Sequence, residues 1–304
     1  MAIVEPSLKR LRYFVALAEY GKFQAAADEV GISQPALSAE LKRLEDFVGT
    51  PLFHRAPATA LTAAGAALLP YAKAAVGAAQ DFNARALQLR TGAASTLTVG
   101  TVMTFVHRGL PEAIRNFTRH NPGIVVKTVE ASSAAQSDML LGHEIDVACG
   151  HMPLDSPLVD CREASQEGFW LCTGATETVT TVAQTASLPY VIFRRSASPL
   201  YYEHVVGICR AAGFEPRIEH ETTSWAAAVE MVAHGLGVSL VPGPVAGSYR
   251  TDARLRLHRI DRGAEAPQAW VSVRREAAGT PADRLARGII RAAGRAAESV
   301  TPRP

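Results

Sequence analysis

The sequence predicts an α/β protein with an all-α domain at its N-terminus, and two observations carry that reading. Up to about residue 50 the apolar residues recur only at helical spacing, in short runs broken by glycine. From residue 96 short apolar strands alternate with helical stretches, which is the pattern of a parallel sheet covered by helices.

In the N-terminal part, Leu8, Leu11, Phe14, Val15 and Ala18 give a first helix ending near Gly21. Phe23, Ala26, Ala27 and Val30 give a second, stopped by Gly31. Ser33 stands at an N-cap, where its hydroxyl accepts from a first-turn amide, and Pro35 is tolerated because its missing N–H has no helical partner there. Leu37, Leu41, Leu44 and Val48 carry the apolar face to a C-cap at Gly49. Two short helices about a glycine turn describe a helix-turn-helix, whose second helix enters the major groove by its N-terminal end. Gln34 and Ser38 are the polar residues there; Gln pairs with adenine through two bonds, and Ser donates or accepts. The same shape also occurs as ordinary core, so the spacing leaves both readings open.

Charge does not decide between them. The 304-residue chain has a net charge of +2 at pH 7. Residues 1–60 balance Lys9, Arg10, Arg12, Lys22, Lys42, Arg43 and Arg55 against Glu5, Glu19, Asp28, Glu29, Glu40, Glu45 and Asp46. DNA affinity would then rest on placement, with a modest counterion-release term per monomer. The N-terminus has no signal-peptide pattern and no apolar run is long enough to span a membrane, so a cytoplasmic protein is expected. Cys149, Cys161, Cys172 and Cys209 form no CxxC and read as reduced thiols.

The segment FQAAADEVGISQPALSAELKRLEDFVGTPLFHR resembles the LysR-type transcriptional regulators. AAA at 25–27, SQPALS at 33–38, LE at 44–45, PLF at 51–53, Arg55 and LTAAG at 61–65 fall in that family's order and spacing. The resemblance implies a winged helix-turn-helix over residues 1–62. It places Ser33, Gln34, Pro35, Ser38 and Lys42 on or beside the recognition helix and Arg55 at the start of the wing. The chain departs from the pattern where Ala39-Glu40 replaces a frequent base and Ala58 a second wing base. Without that base the wing's minor-groove contact is expected to be weak.

Leu61, Leu68, Ala75, Phe82 and Leu89 recur every seventh residue, with Gly65, Ala72, Ala79 and Ala86 four after each of the first four. That is a heptad seam with small residues along one side, allowing close helix approach. Pro70 kinks the helix or marks its first turns. A core helix packed within its own domain is the other reading. The resemblance favours a linker helix over 63–92 that pairs two heads, with residues 91–95 as the hinge beyond it. It also implies a homotetramer built from two such dimers.

In the remainder, strands are expected at Leu97–Val99, Ile124–Val129, Ile145–Cys149, Phe169–Cys172, Tyr190–Phe193, Val238–Val241 and Trp270–Val273. Two doubly wound halves would leave a cleft at their strand ends, where small ligands bind. The resemblance extends through VGTVMTFVHRGLPEAIRNFTRHNPGIVV, EASSAAQSDMLLGHEIDVACG and HGLGVSLVP. It implies a Rossmann-like effector domain over 93–300, similar to the periplasmic binding proteins. One subdomain is 96–165 with 268–300, and the other is 166–267. Thr104, in a loop before one helix, and Ser133, opening the next, can form a carboxylate clamp at helix N-termini, or can simply cap those helices. The stretch PYVIFRRSASPLYYEHVVGICRAAGFEPRIE resembles regulators of aromatic-compound catabolism, which implies Pro199 and Tyr201 as further effector contacts, though a turn and a core residue are the equal alternative for them; Phe193, Thr222 and Thr223 are weaker candidates. The expected partners are double-stranded operator DNA and a small carboxylate or aromatic acid, with no cofactor, metal or membrane.

An enzyme is disfavoured. Gly235-Leu236-Gly237 precedes a strand, the wrong order for a dinucleotide fingerprint, and no P-loop, HExxH or GxSxG occurs. A solute-binding module without DNA function is disfavoured by the fused helix-turn-helix. A redox-sensing regulator of the same family, using Cys161 and Cys172, is the remaining alternative, against which Trp170 and Leu171 point to inert burial.

Overall fold

The computed structural model describes residues 5–54, 59–91, 94–166, 168–196, 198–260 and 268–300. The head opens with α1 (Leu8–Tyr20), α2 (Phe23–Val30) and α3 (Gln34–Val48). Each helix ends on a glycine with positive φ, at Gly21, Gly31 and Gly49, the backbone state a left-handed C-cap requires. Ser33 caps α3 by accepting from the Ala36 N–H at 3.4 Å, and Pro35 lies in the first turn. The buried faces, with Phe14, Leu17, Ala26, Ala27, Leu37, Leu41 and Leu44, form one core. A short antiparallel wing follows, β1 (Phe53–His54) with β2 (Ala60–Leu61). Glu45 pins it to α3, its carboxylate accepting from the Leu52 N–H at 2.9 Å.

The long helix α4 (Ala63–Thr91) runs for 29 residues, ~40 Å at 1.5 Å each, and continues through Pro70. Thr62 caps it by accepting from the Gly65 N–H at 3.0 Å. Its first turns depart from the expected seam. Leu61 lies in β2 and packs with the head core, and Ala72 is buried in that core. Gly65 sits so close to the Leu52 carbonyl that a Cβ would collide with it. These small residues serve packing inside the head. Farther along, Phe82 and Leu89 are 72% and 88% exposed.

The remaining elements are β3 (Ser95–Thr101), α5 (Thr104–His107), α6 (Leu110–His120), β4 (Ile124–Glu130), α7 (Ser133–Leu141), β5 (Val147–Gly150), β6 (Val159–Ser165), β7 (Phe169–Gly174), β8 (Pro189–Phe193), α8 (Pro199–Ala211), β9 (Arg217–Thr222), α9 (Trp225–Ala233), β10 (Ser239–Pro242), α10 (Gly243–Ser248), β11 (Leu255–Arg259), β12 (Ala269–Arg274) and α11 (Pro281–Val300). One sheet has the order β4-β3-β5-β12-β6. A second is built from β10-β7-β11 and β8-β9, joined by a parallel bridge between Tyr190 and Val238. Each sheet has its own apolar core. The chain passes between them after β6 and again after β11, the latter through 261–267, outside the described residues.

The sheets are mixed, which corrects the expectation of parallel pairing. Apart from the Tyr190–Val238 bridge, the parallel pairs among the described residues are β3 with β4, β3 with β5 and β8 with β9, while β12 and β7 run antiparallel to both their neighbours. The sequence reading missed β6, β9 and β11. All three are sheet edges bearing charged residues, VDCREAS, RIEHET and LRLHR. Charges on an edge blunt pairing with other chains, and the same charges hide the strand from an apolar reading.

The three tryptophans, Trp170, Trp225 and Trp270, all lie beyond residue 95. Gly65→Ala is therefore expected to advance the urea-induced loss of helix signal, destabilising the head by about 1–3 kcal/mol, while tryptophan fluorescence unfolds at its original midpoint. Unchanged helix loss would show that the close approach at Leu52 is not needed.

Candidate functional site

Two regions carry the residues with functional chemistry. On α3, Ser33, Gln34, Pro35 and Ala36 are exposed, and Ser38 is half-buried. Lys42 is exposed and lies 3.5 Å from Asp46. Glu40, the acid that replaces a frequent base, is not a bare negative charge. Arg10 of α1 donates to it at 2.8 Å, and Arg43 pairs with it too. These bonds, Arg10's foremost, hold the Glu40 carboxyl below the usual range. Sequence reasoning missed this clamp because Arg10 and Glu40 lie 30 residues apart. Arg55 and Ala58 lie outside the described residues.

The second region lies where the two sheets meet. Thr104 was expected in a loop; it starts the short helix α5 and is buried. Ser133 opens α7 as expected, but the capping role falls to Ser132, which accepts from the Ala135 N–H at 3.3 Å. Ser133 instead turns its hydroxyl to accept from the His151 N–H at 2.9 Å. The Thr104 hydroxyl lies 2.7 Å from His151 Nε2. Tyr201, buried on α8 of the other half, brings its hydroxyl to 3.3 Å from the same nitrogen. On the ring's far side, Nδ1 faces the Gln268 carbonyl at 3.4 Å. A carbonyl only accepts, so Nδ1 carries the proton and Nε2 is the acceptor. Burial first, and the Arg108 cation second, hold this imidazole down to about 3, so it is neutral at physiological pH.

His151 thus joins Thr104, Ser133 and Tyr201, three residues the sequence reading groups as effector contacts. The sequence offered no signal for it, since a histidine after an apolar strand reads as surface or core. Tyr201 also ends an aromatic cluster, its ring 5.0 Å from His151, 5.1 Å from Trp225 and 6.0 Å from Phe169. Phe193 joins this cluster, 4.8 Å from Trp225. Pro199 is exposed at the start of α8. Thr222 turns its hydroxyl to the Ser224 N–H at 3.1 Å, a turn-forming bond, and Thr223 is exposed. Among the described residues no group of three His, Cys, Asp or Glu side chains is arranged to hold a metal ion.

Comparison with known proteins bears directly on this architecture. Residues 8–66 match the bacterial regulatory helix-turn-helix protein of the lysR family, and residues 90–295 match the LysR substrate binding domain. The chain belongs to the LysR family. It is a DNA-binding transcriptional regulator whose C-terminal part binds an effector. It is 30% identical over 265 residues to the HTH-type transcriptional regulator IlvR of Caulobacter vibrioides, covering 84% of this chain and 87% of that protein. It is 28% identical over 271 residues to AlsR of Bacillus subtilis, covering 87% of this chain and 88% of that one. The solved structure of full-length CbnR with its target DNA is 26% identical, covers 94% of this chain and 99% of that one, and superposes with a TM-score of 0.56. No helix among the described residues of this LysR-family chain is long and apolar enough to cross a membrane.

Solved structures of OxyR also share the fold, the Corynebacterium glutamicum C206 mutant at 25% identity and a TM-score of 0.56. The thiols here do not favour the redox-sensing alternative. Burial raises Cys149 and Cys209, and it pushes Cys172 up to about 12, so these stay protonated and poorly nucleophilic. Cys161 is half-buried and accepts from the Ser272 hydroxyl at 3.1 Å. With a thiol-reactive disulfide reagent, the native protein is expected to react at Cys161 alone, and at all four cysteines once denatured. Rapid native reaction of Cys172 would reopen the redox reading.

Proposed function

We propose that this regulator reads its operator through Gln34, Pro35 and Ser38, with Ser33, Lys42 and Arg55 on the flanking phosphates. Its response is to a small anionic acid, aromatic in part, bound between the two sheets. The observation that carries the second statement is the convergence of Thr104 and Tyr201, from opposite halves, on His151. A ligand entering there meets hydroxyl donors on both sides, the start of α7 behind Ser133, and the rings of Tyr201, Trp225 and Phe193. Polar groups placed at one end and aromatic surface at the other suit an aromatic carboxylate. In this reading Pro199 and Thr222 are assigned to the rim of the site.

In this reading residues 1–62 form the head, 63–92 the linker and 93–300 the effector domain. Leu68, Phe82 and Leu89, the exposed members of the heptad, are covered when two copies pair along α4, with Ala75 allowing close approach. Two such dimers make a homotetramer. The protein acts in the cytoplasm by binding, without catalysing a reaction. Effector binding shifts the arrangement of the heads only through its difference in affinity for the two arrangements.

The test separates the two regions. Gln34→Ala and Ser38→Ala are expected to weaken binding to an operator fragment in gel shift, while a stabilising acid still raises the melting temperature. Thr104→Val and Ser133→Ala are expected to keep operator binding and lose that rise. The same phenotype in both pairs would refute this division of labour.

A further inference from the structure

We propose that His151 reads the effector's carboxylate, and that it does so by taking up one proton from solvent as the acid binds. This inference rests on the effector site proposed above and names the group that sets its selectivity.

The argument is a count of donors and acceptors. In the unliganded chain Nδ1–H faces the Gln268 carbonyl at 3.4 Å. The Nε2 lone pair accepts from Thr104 at 2.7 Å, with the Tyr201 hydroxyl at 3.3 Å. The ring is also fixed from behind, because its own backbone N–H is held by Ser133. A carboxylate entering between the halves has only acceptors. It draws the hydroxyl hydrogens of Thr104 and Tyr201 toward itself, since bonds to an ionised group are the stronger ones. Nε2 is then left as a bare lone pair facing an anion, a buried mismatch that is costly to keep. A proton from the buffer removes it: neutral imidazole, carboxylate and one proton become an imidazolium donating to the carboxylate at Nε2 and to Gln268 at Nδ1. Both ring nitrogens then donate to acceptors already in place.

Among the described residues, the charged group acting on His151 is Arg108, which is fully buried and whose guanidinium lies over the Phe105 ring at 5.7 Å. Its cation opposes a proton on the unliganded ring and attracts the same carboxylate. Once the anion is present, the opposing charge favours the protonated ring. Among the described residues, the other side chains facing the imidazole, Thr104, Tyr201 and Phe105, carry no charge at neutral pH. An alcohol or amide of the same shape brings no charge to stabilise the proton, so the site selects acids over their neutral isosteres.

The experiment uses the full-length chain and three probes: benzoate, 4-hydroxybenzoate and phenylacetate. The acid giving the largest thermal shift is titrated calorimetrically at one pH in phosphate and in Tris, whose different ionisation heats report protons taken up. Wild type is expected to take up close to one proton per site and to bind more tightly by up to about tenfold per pH unit as pH falls from 8 to 6. His151→Gln, which can still donate to a carboxylate, is expected to show no proton uptake and a flat pH dependence. Zero uptake by wild type overturns the proposal, whatever the variant does. Equal uptake in His151→Gln overturns it as well, by assigning the proton elsewhere. If none of the three acids shifts the melting temperature but their amides do, the carboxylate reading of the site falls first, and this inference with it.

Discussion

One ammonium group holds the three parts of the molecule in register. Lys73 of α4 is only 10% exposed, and its Nζ lies 3.3 Å from Glu19 on α1 and 3.3 Å from Asp138 on α7. Head, linker and effector domain therefore meet on a single charge. A cation so largely withdrawn from water depends on its carboxylate partners. Any rotation of the head against the effector domain has to break one contact or carry Lys73 along. One turn later Gly77 approaches the Gly142 carbonyl so closely that an added Cβ would lie 2.8 Å away. One turn later again Asp81 faces His143 at 3.7 Å. Residues 73, 77 and 81 lie four apart, on one face of the helix. His143 itself adopts φ 60 in the turn that receives α4, a state uncommon outside glycine.

The long helix thus has two occupations. One face docks on its own effector domain through polar and small residues. The other carries Leu68, Phe82 and Leu89, which remain in water in the single chain. The helix is tied in two places: its first turns are sealed into the head core through Gly65 and Ala72, and its middle docks on α7 and the turn after it. The His151 bridge joins the two halves of the effector domain, through Thr104 on one side and Tyr201 on the other.

Much of this was legible in the sequence. The three head helices and their glycine stops follow from apolar spacing and capping chemistry, both local properties. Thr104, Ser133 and Tyr201 were named as site residues, and all three contact His151. What the sequence did not show depends on distant pairing. The Arg10–Glu40 clamp, the Lys73 contacts and the role of His151 join residues far apart in the chain. The heptad misled at its start because Leu61 and Ala72 satisfy a periodic pattern while packing inside the head. The edge strands β6, β9 and β11 were invisible because their charges, which protect the sheet edges, erase the apolar signal.

The central claim is that a ligand between the sheets changes how the heads meet DNA. Its most direct test is the anisotropy of a labelled operator fragment titrated with the full-length protein, with and without a saturating acid that stabilises it. The account predicts that the acid changes operator affinity by about 5–150-fold in wild type, and leaves it unchanged in Thr104→Val at the same acid concentration. An equal change in Thr104→Val, or none in wild type, would contradict it.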